Sequence, residues 1–319
     1  MNTQKNTESP RISIIIPVFN GSNYLREAID SALKQRYDNF EVIVINDGSN
    51  DGGDTETIAL SYGNQIRYYK KDNGGVSSAL NLGLSVMNGD WFSWLSHDDL
   101  YLPDKLSSQS KIIRDNPNVD VVISNYAFVN KNGFPIKRWH AVWKKGFLNK
   151  NMAIKLLISK GTPNGCATLI RKSSALIVDS FDTKYIYTQD RHFFLKLIAK
   201  NCGFFVTREL TTKSRIHSGQ VTVLKKNLYN SEVVDTFYEF YDNNMYNCRN
   251  EHYFIKQLLL TTYMKIDRNK KKQLLDSMIK AKIIRKSDFL SLKLIFIYLS
   301  FRETLKKIRT IFTNKKLRA

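Results

Sequence analysis

Two adjacent carboxylates, Asp98 and Asp99, close the run Trp91-Phe92-Ser93-Trp94-Leu95-Ser96-His97. Paired anionic oxygens at the end of an apolar stretch suit a hard divalent cation, and a cation held there can hold a phosphate in turn. Adjacent aspartates equally serve to turn a chain or cap the next helix. Two more carboxylates stand in comparable surroundings. Asp47 follows the apolar run Phe40-Glu41-Val42-Ile43-Val44-Ile45 and heads a loop rich in Asn, Asp, Gly and Ser. Asp190 precedes Arg191-His192-Phe193-Phe194-Leu195-Lys196-Leu197-Ile198, where a helix dipole favours a negative charge. On spacing alone Asp190 reads as a helix cap, with a general base as the alternative.

These acids need elements to place them. Ile12 to Val18 is a β-branched run of the kind found in parallel strands covered on both faces, and Pro17 is expected to end its ladder. Tyr24, Leu25, Ala28, Ile29, Ala32 and Leu33 then recur at helical spacing. The run Phe40–Ile45 repeats the strand signal and completes a βαβ unit. In an open parallel sheet ligands gather beyond the carboxyl ends of the strands, which is where Asp47 and the Asp98/Asp99 pair fall. A third strand, Ile66–Tyr69, leads into Asn73-Gly74-Gly75-Val76-Ser77. Two glycines before a Ser-led helix start can offer backbone N–H groups to a phosphate, or can form an ordinary turn. Neither a P-loop nor a GxGxxG fingerprint is present. Further strands are expected at Val119–Ser124 and Phe204–Val206, and helices after Pro103 and Asp190. Around Trp139, His140 and Trp143 the βα alternation gives way to short mixed elements.

The chain has 319 residues, 42% hydrophobic and 12% aromatic, enough for a sizeable core. Its formal charge is +20. From Lys265 onward 17 Lys/Arg face 4 Asp/Glu, beside an apolar block from Phe289 to Phe301. That block is too short and too charged to span a bilayer but suits an anionic membrane surface. Cys166, Cys202 and Cys248 form neither a metal spacing nor a disulfide framework, as expected of a reducing cytoplasm.

Taken in order, Ile14-Ile15-Ile16-Pro17-Val18-Phe19-Asn20, Ser31-Ala32-Leu33-Lys34-Gln35, Glu41 to Ser49, Asn73 to Ser77 with Asn81-Leu82-Gly83, and the Asp98/Asp99 region resemble the bacterial family 2 glycosyltransferases of GT-A fold. The likeness covers about residues 11–220. It implies an α/β fold with a mostly parallel, Rossmann-like sheet flanked by helices and followed by a C-terminal helical extension. The implied domains are a loose tail over 1–10 and a GT-A domain over 11–220, with a nucleotide-sugar half at 11–100 and an acceptor half at 101–220. Beyond the likeness, helical patterns and basic charge predict a basic helical region over 221–319, which either associates with membrane or packs on the body.

By the same resemblance, Asp190 is the catalytic base. Pro17, Phe19, Asn20, Asp47, Gly75, Asn81, Asp98 and His217 bind the nucleotide sugar, and Asp99 with Asp98 holds Mg²⁺ or Mn²⁺. The sequence departs from the family pattern at Ser96, Asn46 and Gln189, each standing for an acid, and at Leu80, where an Arg is usual and Lys70 or Lys71 is the expected substitute. The implied reaction is an inverting hexosyl or N-acetylhexosaminyl transfer from a nucleoside-diphosphate sugar, with UDP-sugar favoured. The acceptor is a glycan or lipid-linked hydroxyl in cell-surface polysaccharide synthesis. The enzyme is expected in the cytoplasm, peripheral on the inner face of the membrane, without nucleic acid. The alternatives are a nucleotidyltransferase and a non-enzymatic binder of anionic surfaces or nucleic acid.

Overall fold

Strand β1 (Ile12–Val18) is buried along its whole length, and β2 (Phe40–Asp47) is buried from Val42 onward. Side chains on both faces of these strands leave water, and each buried Ile or Val contributes about 1.5–3 kcal/mol, which explains the unbroken apolar runs. The computed structural model describes residues 9–139, 145–220 and 225–242. The chain divides into two units, Met1–Leu224 and Lys225–Ala319.

In the first unit β1, β2, β3 (Arg67–Lys71) and β4 (Trp91–Trp94) are mutually parallel in the order β3-β2-β1-β4. Helices α1 (Leu25–Leu33), α2 (Asp54–Leu60) and α3 (Gly75–Val86) make the crossovers. Pro17 does not end the ladder, because β1 stays in register with β2 as far as Val18 opposite Asn46. The Ile15 carbonyl accepts from Leu95 N–H, so Pro17, two residues on, turns its missing N–H toward the same side, where β4 has already ended. The proline therefore removes no ladder bond.

Beyond β4 the sheet becomes mixed. β5 (Leu100–Tyr101), helix α4 (Lys105–Asp115), β6 (Val121–Val129), β7 (Pro135–Trp139), β8 (Gly146–Leu148), helix α5 (Lys150–Lys160), β9 (Thr168–Arg171), helices α6 (Lys172–Ile177) and α7 (Gln189–Ala199), and β10 (Phe204–Arg215) follow in sequence. β9 lies antiparallel between β4 and β6, β10 is parallel to β6, and β5 closes the order as an antiparallel edge. The expected strand at Phe204–Val206 is the first quarter of a 12-residue strand. It breaks register near Leu210 and runs on to Arg215, because exposed Arg208 and Glu209 interrupt its apolar pattern.

Of the second unit, helix α8 (Lys226–Asp242) is described. The apolar block Phe289–Phe301 of the expected basic helical region, together with His140, Trp143 and Cys248, lies outside the described residues. No helix among the described residues is long and apolar enough to cross a membrane.

Candidate active site

The loops after β1, β2 and β4 gather at one end of the sheet, as a parallel arrangement requires. After β1, Asn20 takes a left-handed backbone (φ 49°) and pairs with Asn50 through two bonds of 2.7 and 2.8 Å, while its own N–H donates to Ser49 Oγ. Phe19, beside it, is exposed, and Pro17, two residues earlier in β1, is buried. After β2, Asn46 accepts from Ser49 N–H and donates to the Tyr68 hydroxyl, bracing the loop in the position where the family pattern has an acid.

Asp47 is buried, and its Oδ1 accepts from Lys71 Nζ at 2.8 Å and from Gly74 N–H at 3.0 Å. One of the two glycine N–H groups expected to meet a phosphate is thereby already used by a carboxylate. Gly48 is required where it stands: its φ is +73° and a Cβ would lie 2.6 Å from the backbone nitrogen of Asn73. Gly75 opens α3, also with positive φ. Neither lysine replaces the missing arginine freely, since Lys70 is paired with Glu56 at 2.6 Å and Lys71 with Asp47. Leu80 is in the core.

At the end of β4 the paired carboxylates separate into two roles. Asp98 Oδ2 meets His217 Nε2 at 3.0 Å, and Gln220 Nε2 donates to the same oxygen at 3.4 Å. Asp98 and His217 each retain about 15% of their side-chain exposure, so a ligand can reach them. Asp99 is turned into the protein, where its Oδ1 accepts from Arg215 N–H at 2.8 Å. Burial first, and then the neighbouring Asp98 charge, push its carboxyl far above the usual carboxylate range. His97, whose ring packs on Gly21, is driven the other way by burial, toward the neutral imidazole. Ser96, in place of a third acid, contacts the buried Cys166 thiol through its N–H and hydroxyl.

Arg215 ties this corner together. Its guanidinium is 1% exposed and donates to the Asp98 carbonyl at 2.9 Å, the Lys131 carbonyl at 2.6 Å and Glu27 Oε2 at 2.8 Å. Its planar fork lies over the Tyr24 ring at 4.4 Å, and the His217 ring lies against the same tyrosine at 5.2 Å. Among the candidate site residues, Arg215, Tyr24, Glu27 and Gln220 were not singled out from sequence. Arg215 stands two residues before His217, the site residue that the resemblance does name. Nothing local pointed to Glu27, whose partner is 188 residues away.

Asp190 sits in the first turn of α7. The capping position is Thr188, not Asp190, because the helix starts one residue before the acid; the Asp190 Oδ1 accepts from the adjacent Arg191 N–H at 2.7 Å. Burial pushes its carboxyl up to about 6, against the partial opposition of the Arg191 N–H and charge. The helix is fastened to the rest of the site from two sides. Asn81 of α3 makes a two-bond clamp with the Phe181 backbone, at 2.8 and 3.0 Å, and Ser77 donates to the Tyr185 carbonyl. Both ends of the Asn81 amide are thus spent on positioning the segment before Asp190. On the other side Trp94, at the end of β4, packs edge-on to Phe181 at 5.3 Å and stacks near Phe194 at 6.3 Å.

A four-strand parallel half with an acid at each of two strand ends, joined to a mixed half that returns an Arg-x-His to the second acid, is a GT-A arrangement. Residues 13–176 match the sequence profile of Glycosyl transferase family 2. The chain belongs to that family.

An uncharacterized glycosyltransferase of Rickettsia bellii is 46% identical over 213 residues, 66% of this chain and 30% of that protein, so the chain spans about a third of that relative. Among solved structures, Staphylococcus aureus TarS residues 1–349 in complex with UDP-GlcNAc superposes with a TM-score of 0.65 at 17% identity, over 85% of this glycosyltransferase chain and 80% of TarS. The mannosyltransferase PcManGT of Pyrobaculum calidifontis, in complex with GDP-Man and Mn²⁺, superposes with a TM-score of 0.56 at 15% identity, over 92% and 81% of the two chains. At these identities the solved structures establish the GT-A fold and no more.

Proposed function

We propose that this chain transfers a hexosyl or N-acetylhexosaminyl group from a nucleoside-diphosphate sugar, a UDP-sugar by preference, to a hydroxyl of a glycan or lipid-linked acceptor, with inversion at the anomeric carbon. The observation that carries the proposal is the convergence of Asp98 and His217, distant in sequence, on a 3.0 Å contact at the carboxyl end of β4. UDP-GlcNAc in TarS supports the donor class, and the GDP-Man complex of PcManGT marks the nearest competitor.

The residues fit a divalent cation. One accessible carboxylate oxygen beside an imidazole nitrogen is a donor set that Mn²⁺ accepts well and that Mg²⁺ accepts with water completing its shell. Asp98 and His217 would hold it, with Asp99 supporting the loop rather than ligating. Bound there, the cation supplies charge neutralisation on the departing diphosphate.

The remaining work belongs to the chain. Asp47, fixed by Lys71 and Gly74, keeps its second oxygen for the nucleobase, and Phe19 offers a face for stacking over the floor made by Pro17. Asn20 and Gly75 shape the loops on either side. Asp190, raised toward neutrality by burial, is a stronger base than an exposed aspartate and takes the acceptor proton as the hydroxyl attacks. No second nucleophile is assigned, so the displacement is direct. The domain plan is a GT-A body over residues 11–220 and a basic helical region over 221–319 that lies on the inner, anionic face of the cell membrane.

The test is a screen of UDP- and GDP-sugars with membrane extract, with Mn²⁺ present or chelated, reading nucleoside-diphosphate release. UDP release that depends on metal is expected for the parent. Asp190→Asn should cut transfer by at least about 100-fold while donor binding persists. Equal transfer by Asp190→Asn and parent would remove Asp190 from the base role, and a product retaining the donor's anomeric configuration would exclude direct displacement.

A further inference from the structure

From Val121 to Val178 the chain carries ten Lys or Arg residues and no Asp or Glu. The β6–β7 hairpin lies inside this acid-free stretch, and its turn is tightly built. Asn130 N–H donates to the Phe134 carbonyl at 2.8 Å and Gly133 N–H to the Asn130 carbonyl at 2.9 Å, while Asn130 Oδ1 accepts from both Asn132 and Phe134 N–H at 3.0 Å. A turn that satisfies its own backbone in this way holds its side chains in place. Two of the side chains it exposes are large and apolar: Phe134 is 66% exposed and Ile136 56% exposed, next to an exposed Lys131 and Asn132.

The same turn is joined directly to the candidate active site. Arg215 Nη1 donates to the Lys131 carbonyl, and Ile216 N–H donates to the Val129 carbonyl at 2.8 Å. Ile216, between Arg215 and His217, is itself 41% exposed. An apolar tip, a rigid turn and basic flanks with no acid of their own, the nearby Glu27 being neutralised by Arg215, form a combination that enters the headgroup region of an anionic bilayer, where apolar side chains leave water and each nearby Lys or Arg adds about 1 kcal/mol. A soluble polyanion accounts for the basic residues but gives Phe134 and Ile136 nothing to bury against. A protein partner would bury the tip but gives no reason for the loss of every acid across the stretch.

We propose that the β6–β7 turn is an insertion tip that seats the catalytic body on a bilayer of anionic phospholipid. The proposal deepens the membrane-peripheral reading above and rests on it, but uses a part of the chain separate from the basic C-terminal region. Through the Arg215 and Val129 bonds, the tip would hold the Asp98–His217 corner near the lipid–water boundary, where the head of a lipid-linked acceptor sits.

The test is co-sedimentation of the full chain with phosphatidylcholine vesicles, with and without phosphatidylglycerol, at physiological ionic strength. Four proteins are compared: the parent; Phe134→Ser with Ile136→Ser; Ile177→Ser, which removes an equally exposed apolar side chain on α6; and Lys306→Gln with Lys307→Gln and Arg309→Gln in the tail. The parent should bind vesicles containing phosphatidylglycerol and bind phosphatidylcholine vesicles far less. The Phe134/Ile136 variant should lose at least about tenfold in partitioning, with Ile177→Ser unchanged. Its release of UDP from donor in vesicle-free buffer should match the parent, which separates failure of the tip from failure of the enzyme reading. Unchanged partitioning of the Phe134/Ile136 variant would overturn the tip, and if the tail variant alone lost binding the tail reading would stand without it. Equal loss in Ile177→Ser, equal binding to vesicles lacking phosphatidylglycerol, or retention on heparin without vesicle binding would each overturn it as well.

Discussion

In its proposed role as base, Asp190 sets folding against catalysis at a single carboxyl group. Its folded value is about 6 against an ordinary 3.8. A raised acid contributes most to folding while protonated, so its contribution is complete below about pH 4 and falls as pH rises through about 6. Transfer should run the opposite way, rising through about pH 6 as the carboxylate becomes available. Asp190→Asn is therefore expected to stabilise the fold at pH 8 by about 1–3 kcal/mol in urea unfolding while removing activity, with the gain shrinking toward zero near pH 4. A gain of the same size at both pH values would show that the ionised carboxyl is not what strains the site. At this scale the residue types were legible and their division of labour was not. Asp98 and Asp99 are indistinguishable in sequence, yet one faces an accessible imidazole and the other a backbone N–H of β10. That difference follows from the turn between β4 and β5, closed by the Asp99 N–H bond to the Ser96 carbonyl at 3.0 Å, which sets the two neighbouring side chains in different directions. Asn81 likewise carries the amide expected of a donor contact, but both of its ends are occupied by Phe181.

Among the elements, β4 does more than deliver two acids. Its last residue, Trp94, is the surface on which the Phe181 segment and α7 rest, and so links the Asp98–His217 corner to the proposed base. The ring fits because Gly165 leaves room: a Cβ there would fall within the indole itself. Gly165→Ala should cost at least about 3 kcal/mol, since either Trp94 or the loop before β9 must move in a close-packed interior. Gly52→Ala, where φ is +71° but nothing lies within 4 Å, should cost only about 1 kcal/mol of backbone strain. Comparable urea midpoints for the two would mean that Trp94 is not held as described. The βα alternation of the first hundred residues was readable because helical and strand periods differ and each apolar run is buried. The later elements were not. β5 is two residues long, β10 contains exposed charges and a register break, and Pro17 looks like a strand end until its neighbouring strands are known.

Over the whole molecule, charge is distributed as unevenly as structure. The acid-free stretch from Val121 to Val178, at +10, and the basic region from Lys265 onward, at +13, together exceed the net +20, so the rest of the chain is slightly acidic. Neutralising Lys306, Lys307 and Arg309 should leave UDP release to water unchanged but slow transfer to a lipid-linked acceptor in anionic vesicles by about tenfold or more. Equal slowing of both reactions would place those residues in catalysis instead. Family, fold class and the set of acids were determined by the sequence itself, because apolar periodicity and strand-end loops are local properties that fold the same way wherever they occur. What the tertiary structure decided is which of those groups meet. His217 reaches Asp98, Arg215 reaches Glu27 and Lys131, and Trp94 reaches Phe181, across separations of some 80 to 190 residues. Such pairings depend on strand order and register, which are set by the burial of the whole sheet and which no short stretch of sequence carries.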